Sequence, residues 1–228
     1  MNTAEKRTFY KKPVWDPKRG SYGNNLWTAF SSKINRRVKL YSDLEYHHWL
    51  LVESDPLISD FCEQPVKATG QCDDGTQTCS YIDMWVLWRN GTEEYREIKY
   101  EKDLSKTKVL RQIEIQRAWC DRRGAAHAIY TEKEIYSNRL LLNNWKVVLC
   151  QMATARDLNL RTTEHYIMQL LSKGDGLSIG ELSIKLPQEA VTNLSTAVFR
   201  LLHAGELSAP LHAQELTNET IFRRMENA

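Results

Sequence analysis

The spacing of apolar and polar positions divides the chain beyond residue 40 into short alternating elements. Alternation indicates strands, and apolar residues three and four apart indicate helices. The pattern predicts, in order, a helix over 42–54, strands over 57–70 and 81–88, a further strand up to residue 101, a helix over 105–123, a strand over 126–132 and helix over 133–152. A mixed sheet flanked by helices would bury the apolar faces of such a series, so we expect an α/β fold.

The pattern changes near residue 159. Three helices are predicted there, with a tight turn between the second and third and a short strand after the third. This order is typical of a helix-turn-helix, and we expect a winged-helix-like domain over 159–228. Its third helix carries one basic residue, Arg200, and residues 161–228 hold six Lys and Arg against eight Asp and Glu. We therefore favour a protein-docking or structural role over insertion of this helix into DNA.

Composition indicates an ordinary soluble protein, with 42% hydrophobic and 26% charged residues. Apolar runs stay short of the roughly 18–20 residues that span a membrane. The opening MNTAEKRTFYKK lacks the apolar core of a secretory signal, so we expect an intracellular protein. Five cysteines are scattered along the chain, which favours reduced thiols over a disulfide framework. Cys72 and Cys79 lack the spacing of a zinc site.

Positive charge is concentrated at the N-terminus, although the net charge is only +2. Residues 1–40 hold ten Lys and Arg against two Asp and Glu, interleaved with aromatic residues. This combination is typical of a basic arm that follows a nucleic-acid backbone. The alternative is a solvated segment whose aromatic residues pack on the adjoining domain. On the first interpretation, Lys33, Arg36 and Arg37 are candidate DNA-binding residues. The domain between this arm and the C-terminal one is predicted over 41–158.

The predicted hairpin around Asn90-Gly91 carries charged residues inside apolar strands, which is costly unless they have a partner or a function. A two-residue loop would pair Asp83 with Ile98. A three-residue loop with Gly91 in a left-handed conformation would instead set Asp83 opposite Glu97, with Lys99 on the same face. We favour this second register. Facing carboxylates need a positive charge between them, and oxygen ligands suit Mg²⁺ or Mn²⁺. The alternative is a surface hairpin with scattered charges.

Two helices beside this hairpin carry further candidates. Ser42 and Glu45 have the spacing of a capping box, so Glu45 is either a helix cap or an acid that points into a cleft. The helix over 105–123 is basic and amphipathic, with Leu110, Ile113, Arg117 and Cys120 predicted on one face. Its basic side chains either contact phosphates or form a solvated face. The candidates for phosphate contact include Lys106, Lys108 and Arg111.

The set Glu45, Asp83, Glu97 and Lys99 resembles the restriction-endonuclease-like, PD-(D/E)xK nuclease superfamily. The flanking sequence is similar to that of TnsA-type transposon endonucleases in particular. The similarity lies in Ser-x-x-Glu before a helix, Asp-Pro, a strand that ends in Glu63-Gln64-Pro65, YIDMWV, YREIKYE and the run that ends in Tyr130-Thr131-Glu132. It extends over roughly residues 25–225 and is best over 40–135.

The resemblance implies a restriction-endonuclease-like mixed sheet and a metal-dependent DNA endonuclease. Glu45, Asp83 and Glu97 would bind Mg²⁺ or Mn²⁺, and Lys99 would orient or activate the attacking water. The chain would act at transposon ends in double-stranded DNA, on the strand that a DDE-type transposase partner, TnsB, does not cut. An AAA+ ATPase regulator, TnsC, would dock on the C-terminal domain, and the location would be the bacterial cytoplasm at the nucleoid. The alternatives are a standalone restriction or repair nuclease, or a non-catalytic DNA- or protein-binding adaptor.

Overall fold

A computed structural model describes residues 10–15, 25–71, 77–172 and 176–225. The chain divides into two compact units, one up to residue 137 and the other from residue 138 onward. The strands of the first unit are Trp27–Ser31 (β1), Arg36–Leu40 (β2), Ile58–Glu63 (β3), Lys67–Gln71 (β4), Gln77–Tyr81 (β5), Met84–Trp88 (β6), Glu93–Ile98 (β7) and Ala126–Tyr130 (β8). Its helices are Asp43–Ser54 (α1), Thr107–Asp121 (α2) and Glu132–Ile135 (α3), with a 3-10 turn over Glu101–Asp103.

The centre of the first unit is a four-stranded mixed sheet in the order β3-β6-β7-β8. β6 is antiparallel to both β3 and β7, and β7 is parallel to β8. Tyr95 packs on Trp119 of α2, whereas the next residue, Arg96, contacts His48 of α1. Since neighbouring residues of a strand point to opposite faces, α1 and α2 cover the two faces of the sheet. The predicted mixed α/β fold is confirmed, and it fits the restriction-endonuclease-like class.

The long hairpin that enters this sheet contains a bulge. Glu63 pairs with Met84, and Lys67 pairs with Tyr81. Residues 64–66 therefore lie opposite only residues 82–83, so one strand carries an extra residue. The prediction of single strands over 57–70 and 81–88 is wrong here, because the bulge splits the hairpin into the pairs β3-β6 and β4-β5. Between the two predicted strands, β5 occupies Gln77–Tyr81, and residues 72–76 lie outside the described residues.

The described residues of the basic arm predicted over 1–40 pack on the sheet domain. β1 and β2 form a hairpin that packs on α1. Tyr10 is buried beside Trp85 and Tyr95 in the core, and Trp15 packs on Tyr41 and Tyr81. The aromatic residues thus anchor the segment to the sheet domain, as the alternative interpretation expected. Residues 1–9 and 16–24 lie outside the described part of the chain.

The second unit is mainly helical. Its helices are Arg139–Thr154 (α4), Arg161–Leu171 (α5), Ile179–Lys185 (α6) and Val191–Ala204 (α7), and its strands are Leu207–Ser208 (β9) and Arg223–Arg224 (β10). The other three helices pack against α7, which ends at left-handed Gly205. α4 packs on α7 and lies in the second unit, which begins at residue 138. No helix in the described ranges is both long and apolar enough to cross a membrane.

Candidate active site

The turn between β6 and β7 sets the register that brings the acidic residues together. Gly91 has φ of +85°, its amide donates to the Trp88 carbonyl at 2.9 Å, and the Trp88 amide donates to the Thr92 carbonyl at 2.9 Å. Met84 pairs with Arg96, which places Asp83 opposite Glu97 one step further along. The predicted three-residue loop is therefore confirmed, and a glycine at the far end of the hairpin aligns the two carboxylates.

Asp83 lies at the bulge, where the chain passes from β5 into β6. Its Oδ2 accepts a hydrogen bond from the Ile98 amide at 2.8 Å and lies 3.7 Å from the Lys99 ammonium nitrogen. Its carbonyl accepts from the Gln64 amide at 2.9 Å. The side chain is partly exposed and lines a cleft. Asp83 is thus fixed on both sides, with its carboxylate turned toward Lys99.

Glu97 is fully buried and heavily hydrogen-bonded. Its Oε1 lies 2.5 Å from Lys99 Nζ and accepts from Gln112 Nε2 at 2.6 Å, while its Oε2 accepts from Gln116 Nε2 at 2.7 Å. Burial raises the pKa of Glu97 to about 8; the Asp83 charge adds to this rise, and Lys99 opposes it. Both glutamines come from α2, whose predicted face did not include them.

Lys99 bridges the two facing carboxylates. Burial lowers the pKa of its ammonium, but the charges of Asp83 and Glu97 outweigh burial and raise it above the ordinary value. The group is therefore a cation at neutral pH and acts as a donor rather than as a proton acceptor. The positive charge that the register argument required between Asp83 and Glu97 is supplied in this structure by Lys99.

Glu45 takes the first of the two roles that the sequence left open, that of a helix cap. Ser42 caps α1 by accepting a hydrogen bond from the Glu45 amide at 3.1 Å, and the Glu45 carboxylate accepts from the Ser42 hydroxyl and the Tyr41 amide. Its Oε2 also receives Gln64 Nε2 at 3.3 Å. Burial, followed by the Asp83 charge, raises the pKa of Glu45 to about 7. The helix cap therefore places an acid within electrostatic reach of Asp83.

The donor chemistry of this group fits a hard divalent cation. Glu45, Asp83 and Glu97 supply carboxylate oxygens, which Mg²⁺ and Mn²⁺ prefer, and the three share one nearby ammonium, that of Lys99. Burial first, and the Asp83 charge second, raise the pKa of Glu45 and of Glu97, so both acids favour the protonated form more than free carboxyls do. Across the described ranges, however, no three His, Cys, Asp or Glu side chains are already arranged to hold an ion. Binding would require Glu97 to exchange part of its contact with Lys99 or Gln112.

A cleft of about 860 Å³ opens onto this group. Asp83 and Lys99 line it together with Lys108 and Arg111 of α2, whereas Glu45 and Glu97 are not among the described residues of its lining. Both α2 bases are exposed. A cleft with a carboxylate at its base and basic side chains on its wall suits a phosphodiester, since the bases offset backbone charge.

The other candidate DNA-binding residues serve different contacts. Lys33 donates to the carbonyls of Val52 and Asp55 at the end of α1, and burial lowers its pKa to about 8. Arg36 forms a two-pronged ion pair with buried Glu63 at 2.6 Å. Lys33 and Arg36 therefore stabilise the fold. Of the remaining two, Arg37 is exposed on β2, and Lys106 pairs with Asp103 at 2.6 Å.

Sequence reasoning missed the side chains that hold the acids. Gln116 is fully buried and also donates to Ser80 Oγ at 2.8 Å, and its Oε1 lies 3.0 Å from His127 Nε2. Gln112 and Gln116 are four residues apart and so share a helix face. That spacing was visible in the sequence, but the apolar pattern did not select it. Gln64 belongs to the quoted Glu-Gln-Pro run, yet it had no assigned role.

Comparison with protein families agrees with the geometry. Residues 55–132 match the model of the TnsA-like endonuclease N-terminal domain. This segment contains Asp83, Glu97 and Lys99, while Glu45 precedes it. Among curated proteins, none matches the chain. The predicted resemblance to TnsA-type endonucleases is confirmed for this segment, which supports nuclease activity and a link to transposition.

Proposed function

We propose that the protein is a divalent-metal-dependent DNA endonuclease that works as a subunit of a heteromeric transposase. On this proposal it hydrolyses phosphodiester bonds at transposon ends, on the strand that a DDE-type transposase does not cut. One observation carries the proposal: the β6-β7 hairpin sets Asp83 opposite Glu97, with Lys99 between them, inside the segment that matches the TnsA-like endonuclease domain.

Each side chain receives a role from its position. Glu45, Asp83 and Glu97 would hold Mg²⁺ or Mn²⁺. When bound, the cation would lower the pKa of the attacking water and withdraw charge from the phosphate. Lys99 stays protonated while it faces two carboxylates, so it would donate hydrogen bonds to the water or the phosphate and offset developing negative charge. Lys108 and Arg111 would hold the DNA backbone along the cleft wall.

The second unit is proposed to be winged-helix-like and to dock a protein partner. Three helices followed by the short β9-β10 ribbon support the winged-helix assignment. Arg200, the basic residue of α7, donates to the carbonyls of Leu158 and Ala155 and pairs with Glu164, so its charge is used within the unit. This favours a protein partner over DNA. Partners of the TnsB and TnsC type, a transposase and an AAA+ ATPase, are the proposed ones.

The test compares Asp83→Asn with a matched control in the assembled system of this chain, transposase, ATPase and end DNA. Asparagine keeps an acceptor for the Ile98 amide and removes the charge. Asp60→Asn is the control, because Asp60 also accepts a backbone hydrogen bond, from the Phe61 amide at 2.9 Å. Strand-resolved gels should show that Asp83→Asn abolishes cutting of one strand while partner binding persists, and that Asp60→Asn cuts normally.

Undiminished cutting by Asp83→Asn would refute the nuclease assignment. Cutting that proceeds without metal would refute the metal dependence. If the isolated chain cleaves DNA without partners, the standalone nuclease is correct and the transposase-subunit role is not. If the assembled system functions without any cutting by this chain and Asp83→Asn has no effect, the non-catalytic DNA- or protein-binding adaptor is favoured instead.

A further inference from the structure

Gln64 occupies the bulge beside the candidate active site. The extra residue of the β3-β4 strand lies between Glu63 and Lys67, opposite Ile82 and Asp83. Bulges next to active sites commonly redirect a side chain. Here the redirected side chain is buried, with 2% exposure, and it lines the cleft that Asp83 and Lys99 also line.

The backbone of Gln64 is in an unfavourable conformation. Its φ is +39°, a region that residues other than glycine and asparagine seldom adopt. Pro65 follows, and a residue before proline prefers extended backbone. The conformation is held by two hydrogen bonds of 2.9 Å: the Gln64 amide donates to the Asp83 carbonyl, and the Val14 amide donates to the Gln64 carbonyl. Strain of this kind persists where the surroundings enforce it, often at functional sites.

The side-chain amide is only half satisfied. Its Nε2 donates to Glu45 Oε2 at 3.3 Å, but its buried Oε1 has no hydrogen-bond partner among the described residues. A buried acceptor without a partner is costly, and a missing water or ion is one of its ordinary explanations. Gln64 thus contacts both acids: its backbone amide binds Asp83, and its side-chain amide nitrogen binds Glu45. Its side-chain oxygen is left as an acceptor for a further group.

We propose that Gln64 is a positioning residue of the cation site: its amide nitrogen holds Glu45, and its amide oxygen faces the divalent cation or the hydration shell of that cation. The inference rests on the proposed function, because it takes Glu45 and Asp83 as cation ligands. A purely structural role would make Gln64 important for stability without cation. A role in the cation site makes Gln64 important for cation affinity instead. In the metal-free protein, its strained backbone and its unpaired oxygen lower the free energy of unfolding.

The experiment measures Mn²⁺ affinity by calorimetry and urea unfolding in EDTA on the full chain. Gln64→Met removes both polar atoms at similar volume. Gln64→Asn tolerates positive φ and keeps an amide, but it is one methylene too short to reach Glu45. Gln151→Met is the control in the second unit, because Gln151 donates to Ser195 Oγ and Thr196 Oγ1.

Both Gln64 variants should raise the Kd for Mn²⁺ about tenfold or more, the usual effect of losing a group that supports metal ligands. Their urea midpoints in EDTA should not fall. Gln151→Met should lower the midpoint and leave the Kd unchanged. A folded Gln64→Met or Gln64→Asn protein with an unchanged Kd overturns the inference and leaves the proposed function intact. Absence of Mn²⁺ binding by the unaltered protein overturns both.

Discussion

The metal-free protein should lose stability as the pH rises from about 6.5 to about 8. Burial and the Asp83 charge raise the pKa of Glu45 to about 7 and that of Glu97 to about 8. In the unfolded chain both groups ionise near pH 4.5. Between the unfolded and folded pKa the native state binds more protons than the unfolded state, so the free energy of unfolding falls with pH.

Two histidines determine the pH, about 6.5, below which this loss of stability is offset. Burial, followed by the Arg96 charge, holds the pKa of His48 well below 6.5, and burial lowers that of His127 to about 4. Below pH 6.5 the unfolded chain therefore binds extra protons at the histidines, which offsets the carboxyl effect. Above that pH the unfolded chain loses its remaining histidine protons, so the offset fades and is over by about pH 7.5. Lys33, with a pKa lowered to about 8, begins to contribute only at the upper limit.

The magnitude follows from the width of the window. Each carboxyl contributes up to about 1.4 kcal/mol per pH unit until its folded pKa is reached. From pH 6.5, Glu45 contributes over about half a unit and Glu97 over about one and a half units, which gives about 2–3 kcal/mol. The histidine protons that the unfolded chain still holds at pH 6.5 offset somewhat less than about 1 kcal/mol of this, which leaves a loss of about 2 kcal/mol. Urea unfolding in EDTA at several pH values across the window measures it. Asp83→Asn should make the free energy of unfolding fall less with pH, because the Asp83 charge raises both pKa values. Millimolar Mg²⁺ should have the same effect, because it competes with the protons for the carboxylates. A free energy of unfolding that stays constant or rises across the window would show that Glu45 and Glu97 do not keep their protons in the folded protein.

Three further predictions concern the register, the helix end and the cleft. Gly91→Val should cost about 1–2 kcal/mol or more, because φ is +85° there, and it should raise the Mn²⁺ Kd; an unchanged Kd in folded protein would contradict the register argument. Lys33→Met should lower the urea midpoint by removing the donor to the last carbonyls of α1, with no change in DNA affinity in a filter-binding assay. Lys108→Ala with Arg111→Ala should weaken DNA binding and reduce the slope of log K against log salt by roughly 1–2; equal slopes would place the DNA elsewhere.

The register of the active-site hairpin could be predicted from the sequence because it depends on local rules. A glycine in the turn permits positive φ, and strand residues alternate between two faces, so one loop length sets Asp83 opposite Glu97. The same applies to the N-terminus of α1, where Ser42 and Glu45 have the spacing of a cap. In both places, residues a few positions apart determine the geometry.

The bulge and the buried face of α2 could not be predicted in this way, because distant contacts determine them. The prediction placed Leu110 and Arg117 on the same helix face as Ile113, which is buried. The structure exposes both and buries Gln116, because this amide pairs with Glu97 and Ser80. Hydropathy counts glutamine as a surface residue, so it cannot anticipate a glutamine that is buried to hold an acid. The extra residue at Gln64 could not be predicted for a related reason, because it is defined only by the pairing of its strand with a strand later in the chain.

The case for a cation depends on the third carboxylate more than on the facing pair. Asp83 and Glu97 alone do not require a metal ion, because the Lys99 ammonium lies against both. Glu45 adds an acid from a different element, and Asp83 raises its pKa as it raises that of Glu97. Burial and the Asp83 charge together outweigh the Lys99 ammonium in raising these pKa values, so the metal-free site retains protons near neutral pH. A divalent cation would add positive charge beside the three carboxylates and release those protons. The pH dependence of the free energy of unfolding and the affinity for Mn²⁺ should therefore change together in any variant that alters Asp83.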